Sequence, residues 1–172
     1  FSHIKNENPS LEIAIRQYEA FLKKTAVKLA DAGSPFGYVS MGSTIICRAE
    51  AYASIGGMPR RKATEDFYFL QEFAKFRGVD KIKTILVYPS SRESERVYLG
   101  TGFRMSKAKK GEDLGKLTYP NEAFQTLKVW LSIAMNGYIE EVNQIMVKVR
   151  KLNPVLHDYL MEENIEDIWE RL

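Results

Sequence analysis

Cysteine and histidine are scarce in this chain. Its 172 residues include one cysteine, Cys47, and two histidines, His3 and His157. A single cysteine excludes a disulfide framework and favours a reducing compartment. The isolated histidines and the lone thiol give no spacing typical of a metal cage or of a cysteine nucleophile.

Three further features are missing. No apolar run is long enough to span a bilayer, and the net charge of +3 is too small to indicate nucleic-acid binding. Nowhere does one aspartate stand two residues from another, so the chain has no DxD metal motif. We therefore expect a cytoplasmic location, including the inner face of the membrane. The start at Phe1, inside polar sequence, predicts a piece of a longer protein.

The order of patterns predicts an α/β fold that is mostly helical by residue count. Two β-rich runs predict strands at Ser43–Cys47 and Lys81–Tyr88, the first covered on both faces. Ser90–Gly111 is interpreted as a long loop that orders over ligands. Helices are predicted, with Ser10 and Thr64 as caps, at Leu11–Ala32, Ala49–Ile55, Thr64–Gly78, Asn121–Asn136, Ile139–Leu152, Val155–Met161 and Ile165–Trp169. This order divides the chain into residues 1–117 and a helical region at residues 118–172.

Two adjacent acids, Glu65 and Asp66, open the predicted helix that starts at Thr64. Acidic residues in a first turn stabilise the helix dipole, and this explains the pair without any function. The helix behind them is apolar nearly all round, however, and three cations precede it: Arg60, Arg61 and Lys62. Both interpretations, helix stabilisation and a catalytic or binding site, stay open on pattern alone.

Three arginines lie in the predicted long loop, and two of them, Arg92 and Arg96, stand among acidic residues. Arg92 and Arg96 suit phosphate or carboxylate recognition, because a guanidinium donates two parallel hydrogen bonds. Glu93 and Glu95 stand beside them, and a solvated charge cluster is the simpler interpretation, which we favour.

Several of these pieces, taken in order, resemble a known family. They are G-S-T-I-I-C-R, A-Y-x-x-I-G-G-M-P, T-E-D, V-Y-P-S-S-R and G-T-G-F-R, between Gly42 and Arg104. The set resembles the C-terminal half of family 2 nucleotide-sugar glycosyltransferases of the GT-A fold. The resemblance implies an incomplete, Rossmann-like α/β half. It also implies that Asp66 is the general base, that Glu65 supports it, and that the acceptor side is lined by Gly42, Ser43 and Thr44.

The departures from that family shape the hypothesis. The family's nucleotide-binding half and its DxD are missing, as is the QxxRW signature of processive members. The resemblance thus implies a non-processive transferase of hexosyltransferase type, in polysaccharide or glycoconjugate biosynthesis. Its complete form would use a nucleotide-sugar donor, a hydroxyl acceptor and Mn²⁺ or Mg²⁺, with no metal bound by this chain. Cations at Arg60–Lys62, or at Arg92 and Arg96, would meet the leaving diphosphate.

Two other functions remain as alternatives. A glycoside hydrolase needs two carboxyl groups that face each other across a cleft, and neighbouring Glu65 and Asp66 do not provide them. A non-enzymatic helical interaction domain would instead use the helices after Pro120 to dock on a partner. Transferase activity in this fragment would require the missing N-terminal half, so we expect the chain alone to transfer no sugar.

Overall fold

The computed structural model of the protein describes residues 1–137, 140–169 and 171. These residues include two short 3₁₀ turns, Gly42–Thr44 and Leu114–Lys116. They contain the helices α1 (Pro9–Asp31), α2 (Ala49–Ser54), α3 (Glu65–Phe76), α4 (Gly100–Lys109), α5 (Asn121–Asn136), α6 (Val142–Leu152), α7 (Pro154–Glu162) and α8 (Ile165–Trp169). Backbone contacts divide the chain into a first unit, Phe1–Ala30 with Pro35–Thr118, and a second unit, Asp31–Ser34 with Tyr119–Leu172.

The predicted α/β fold is wrong, because the described residues form helices and no strand. Ser43 and Thr44 belong to the 3₁₀ turn, and residues 81–88 lie outside any regular element. The segment Ser43–Cys47 is also not covered on both faces as predicted, since Ile46 is 74% exposed. β-propensity measures the fit of a side chain to a pleated, half-buried surface, and a strand additionally needs a neighbour that completes its ladder.

Helix α1 is confirmed, although its cap differs from the prediction. The side chain of Asn8 accepts the backbone N–H groups of Ser10 and Leu11 at 3.0 and 3.3 Å, so Asn8 rather than Ser10 caps the helix. The apolar face of α1 then packs around fully buried Ile15 and Met105. This burial fixes α1 as the centre of the first unit.

Met105 belongs to α4, which lies within the segment predicted as one long loop. Gly100–Lys109 is helical, so the loop interpretation of Ser90–Gly111 is wrong for that half. Glycine at residues 100 and 102 conceals the helix in the sequence, because glycine lowers helix propensity by about 1 kcal/mol. Burial of Met105 against the α1 face compensates for that loss.

A buried polar network ties the start of the chain to α1. His3 and Glu19 are 2% and 6% exposed, and His3 Nδ1 lies 2.7 Å from Glu19 Oε1. The His3 backbone N–H donates to the same oxygen. Arg16 donates to the His3 carbonyl at 3.1 Å and to Glu19 Oε2 at 3.3 Å. Burial opposes ionisation of Glu19, yet the His3 donors and the Lys23 charge hold its pKa below the ordinary value.

The second unit is built from α5 to α8, as the sequence predicts. Its core consists of Ile145, Met146, Val149 and Leu160. Helix α6 begins at Val142, and the predicted start at Ile139 lies outside the described residues. Asn153 caps α7 by accepting the Leu156 N–H at 2.9 Å, ahead of Pro154 at the first helical position. Asn153-Pro154 therefore ends one helix and starts the next.

Replacing Glu19 by glutamine tests the buried network. Glu19→Gln puts an amide against donors and should lower the free energy of unfolding by about 1 to 3 kcal/mol at pH 7, measured by urea titration. Because the folded pKa of Glu19 is lowered, its contribution exists above the ordinary value of 4.5 and disappears as pH falls through the folded value. The difference in free energy of unfolding between wild type and Glu19→Gln should therefore shrink as the pH falls.

Glu7, an exposed glutamate just before α1, offers the control. Glu7→Gln should change the free energy of unfolding by less than about 0.5 kcal/mol. Equal effects of the two variants, or a gap that widens on acidification, would contradict the role assigned to Glu19.

Candidate active site around Asp66

Asp66 bridges the start of α3 and the Gly42–Thr44 turn. Its Oδ2 accepts the backbone N–H of Gly42 at 2.9 Å, and its Oδ1 accepts the N–H of Phe67 at 2.8 Å. A Cβ placed on Gly42 would lie 3.6 Å from the Asp66 Cβ, so the two residues are in close contact. The structure thus brings together the predicted base and the predicted acceptor-side turn. Within that turn Ser43 is exposed and Thr44 half-buried.

The residue before the acidic pair has an unusual backbone. Thr64 has φ 65° and ψ 15°, in the left-handed region that a β-branched residue rarely adopts. It occupies the N-cap position, but its hydroxyl bonds the Ala63 carbonyl instead of the helix, so the predicted cap by its side chain is wrong. Such strain costs about 1 to 3 kcal/mol and clusters at functional sites. Glu65 and Asp66 follow it directly, both half-buried.

The glycine pair before the cations has a clear structural reason. Gly56 and Gly57 have φ of 78° and 76°, which side chains disfavour. A Cβ on Gly57 would also lie 2.9 Å from the Tyr52 ring, whereas one on Gly56 would meet nothing within 4 Å. Tyr52 itself packs on Phe69 of α3, with ring centroids 5.5 Å apart. This loop thus holds α2 against the helix that carries Asp66.

The three predicted cations follow this loop and differ in their surroundings. Arg60, Arg61 and Lys62 are all exposed. The Arg61 guanidinium lies over the Tyr68 ring, 3.8 Å from its centroid, which fixes it on α3 by a cation–π contact. Arg61 is therefore already engaged, and the other two project from the surface before α3.

The predicted cations of the Ser90–Gly111 segment make different contacts from those before α3. Arg92 and Arg96 are exposed, and their backbone N–H groups donate to Ser90 and Ser94 within the same loop. The neighbouring acids are paired with lysines at the C-terminal end of α4: Glu93 with Lys109 at 3.0 Å and Glu95 with Lys110 at 2.6 Å. These exposed pairs match the favoured interpretation of a solvated charge cluster.

Asp66 also acts electrostatically on Tyr18 of α1, a residue that the sequence did not single out. Burial raises the pKa of the Tyr18 hydroxyl; the Arg104 charge lowers it, and the Asp66 charge raises it further. Arg104 also pairs with Glu112 at 3.3 Å. Tyr18 looked like one more apolar position of α1, so no sequence signal distinguished it.

No group of three or more His, Cys, Asp or Glu side chains among the described residues could hold a metal ion. None of the helices in the described ranges is both long and apolar enough to cross a membrane.

A cavity of about 540 Å³ lies in the first unit. Its wall includes residues of α1, Ile45, Ile46 and residues 79–87, and Thr44 is the one predicted site residue that lines it. Its size suits a bound molecule. Because Asp66 is not part of the wall, we treat the cavity and the Asp66 cluster as two different features.

Comparison with known proteins assigns neither a family nor a function to the chain. No protein-family model matches the chain, and no curated protein or solved structure matches it either.

Alanine at each member of the glycine pair tests the loop geometry. Gly56→Ala should cost about 1 to 2 kcal/mol in free energy of unfolding, the penalty of a left-handed Ala. Gly57→Ala should cost about 1 to 3 kcal/mol more, because the Tyr52 ring must shift. Urea unfolding of the two variants gives the comparison, and equal costs would show that Tyr52 does not pack on Gly57.

Proposed function

We propose that this chain carries the acceptor side and the general base of an inverting glycosyltransferase, which moves a sugar from a nucleotide-sugar donor to an acceptor hydroxyl. The observation that carries the proposal is the hydrogen bond between Asp66 Oδ2 and the Gly42 N–H. This bond joins Asp66 to the Gly42–Thr44 turn, and the resemblance implies that these residues are the base and the acceptor side. The ordered motifs from Gly42 to Arg104, which resemble family 2 transferases, give the reaction class.

The carboxylate of Asp66 has the capacity for this role. An ionised carboxylate offers about four acceptor sites, and the Gly42 and Phe67 N–H groups use two of them. An acceptor hydroxyl can donate to a remaining site and lose its proton there as its oxygen attacks the anomeric carbon. The two backbone bonds hold the carboxylate in place, and the N-terminus of α3 favours its negative charge.

The other half of the reaction lies outside the described residues. Binding of the nucleotide and stabilisation of the leaving diphosphate would come from a separate nucleotide-binding half, with Mn²⁺ or Mg²⁺ expected in the complete enzyme. Exposed Arg60 and Lys62 are this chain's candidates for contact with the diphosphate. A cytoplasmic setting remains part of the proposal, because the lone Cys47 is exposed and free.

A helical interaction domain is the second candidate function. The second unit favours it, because its helices expose large apolar side chains, among them Met135 at 73% and Val155 at 78%. The two candidates differ in one outcome: an interaction domain gives no sugar transfer even when a nucleotide-binding half is supplied.

Substitution of Asp66 in the complete enzyme tests the proposal. Asp66→Asn should lower kcat by about 10²- to 10⁴-fold, the usual share of general-base catalysis, with donor affinity nearly unchanged. The chain alone should transfer no sugar from a panel of nucleotide sugars with Mn²⁺. Thermal unfolding is measured alongside, because an amide can accept only one of the two backbone bonds and should lower stability.

Glu65→Gln is the matched control, since Glu65 is the adjacent acid in the same helical turn. Its kcat should stay within about tenfold of wild type, with any effect visible in KM or stability. A near-normal kcat for Asp66→Asn would refute the general-base role and leave the acidic pair as helix stabilisation. Full activity of the chain alone would refute the need for a second half.

A further inference from the structure

The cavity of about 540 Å³ in the first unit has a wall made mainly of aliphatic side chains. Several of these side chains remain open to solvent: Ile46 is 74% exposed, Ile82 62% and Leu86 58%. A volume between about 300 and 1,000 Å³ is typical of a site for a small molecule. Apolar surface around such a space gains free energy when an apolar group covers it. The size and the lining of the cavity therefore suit an apolar occupant.

The charged side chains of the wall are mostly cations. Lys23, Lys81 and Lys83 line the cavity together with one acid, Asp80. Lys23 Nζ already lies 3.6 Å from Glu19 Oε2, whereas neither Lys81 nor Lys83 forms an ion pair with a described residue. Two lysines without an ion-pair partner in an otherwise apolar wall favour an occupant that carries negative charge.

The backbone of the same segment adds hydrogen-bonding groups. Residues 80–86 lie outside any regular element, and their N–H and C=O groups have no hydrogen-bond partner among the described residues. Ligand sites combine a mostly apolar lining with a few polar groups that fix the orientation of the ligand. Open N–H groups beside Lys81 and Lys83 can donate to the same anionic oxygens that the two lysines attract.

The aromatic content of the wall favours a flexible ligand over a planar one. Phe1 and Tyr38 are the aromatic residues of the described wall. The Phe1 ring already meets the His3 ring at a right angle, with centroids 5.7 Å apart, and Lys23 Nζ lies over it at 4.9 Å. A nucleobase or another flat ring needs an open aromatic face for stacking. An alkyl chain instead needs only the aliphatic side chains that dominate this wall.

We propose that this cavity binds a single-chain amphiphile with an anionic head, of which a medium-chain fatty acid is the simplest. The alkyl chain lies against Ile46, Ile82 and Leu86, and the carboxylate lies at Lys81 and Lys83. This inference does not depend on the proposed function, because Asp66 is not among the described residues of the wall.

The wall fits such a molecule better than it fits a bilayer or a second copy of the chain. Interfacial membrane binding typically uses an amphipathic helix, whereas residues 79–87 form no helix and their side chains line a cavity. In a symmetric pair of chains, both copies would bring Lys81 and Lys83 to one contact, and like charges that face each other oppose association.

Calorimetric titration of the unmodified chain with octanoate, decanoate and dodecanoate, each below its micelle concentration, tests the proposal. One molecule should bind per chain, and the dissociation constant should fall by up to about fourfold for each added CH₂, the effect of burying that group. Decan-1-ol should bind about fivefold more weakly than decanoate, and decylammonium more weakly still. Affinity that is independent of chain length, or that is highest for the cation, would overturn the proposal.

Matched variants locate the bound molecule. Leu86→Asp puts a charge in the wall and should weaken dodecanoate binding more than about tenfold. Ile13→Asp changes a similarly exposed aliphatic residue outside the wall and should leave the affinity within about twofold. Lys83→Gln should weaken binding about two- to fivefold, and Lys24→Gln, at an exposed lysine outside the wall, should leave it within about twofold. Equal effects of wall and control variants would overturn the proposal.

Thermal unfolding checks that each variant is folded, and the chain-length series on the unmodified chain stands whether or not Leu86→Asp folds. Two other outcomes would assign the wall to a different occupant and overturn the proposal. One is binding to phosphatidylglycerol vesicles without one-to-one binding of monomeric dodecanoate, which would indicate a bilayer. The other is self-association in sedimentation velocity that Leu86→Asp abolishes, again without dodecanoate binding, which would indicate a second copy of the chain.

Discussion

The carboxylate of Asp66 is the contact on which the functional account depends. One oxygen accepts the Gly42 N–H and the other accepts the Phe67 N–H, so one side chain fixes the 3₁₀ turn against the first turn of α3. Strain at Thr64 and the left-handed pair Gly56-Gly57 shape the loop that delivers α3 to this position. Packing of Tyr52 on Phe69 then holds α2 against α3. A charged group held by two backbone donors is oriented before any acceptor arrives, which is what a general base requires.

The local pattern of the chain predicted every described helix except α4 and predicted its strands wrongly. A helix closes its hydrogen bonds within its own segment, so the apolar spacing of α1 or α6 is sufficient to indicate it. A strand closes them with a neighbour, so Lys81–Tyr88 carries β-type side chains without forming a strand among the described residues.

The candidate site could be predicted in part. Glu65 and Asp66 were found from sequence, because acids that follow a cationic loop and open an apolar helix are a local pattern. The contact between Gly42 and Asp66 joins residues far apart in the chain, so it could be recognised only from the folded structure. His3 and Glu19 were missed for the same reason: one lies in a polar lead-in and the other on a helix face, and only their burial together reveals the network.

The hydrogen bond from Gly42 to Asp66 can be measured directly by NMR in the unmodified chain. The Asp66 carboxyl carbon shift is followed through an acid titration, together with the amide proton shifts of Gly42 and Phe67. The account predicts that both amide protons shift upfield as the carboxylate gains its proton. Their shifts should have the same midpoint as the shift of the carboxyl carbon. A Gly42 amide that stays constant while the carboxyl carbon titrates would contradict the arrangement from which the proposed catalytic role is argued.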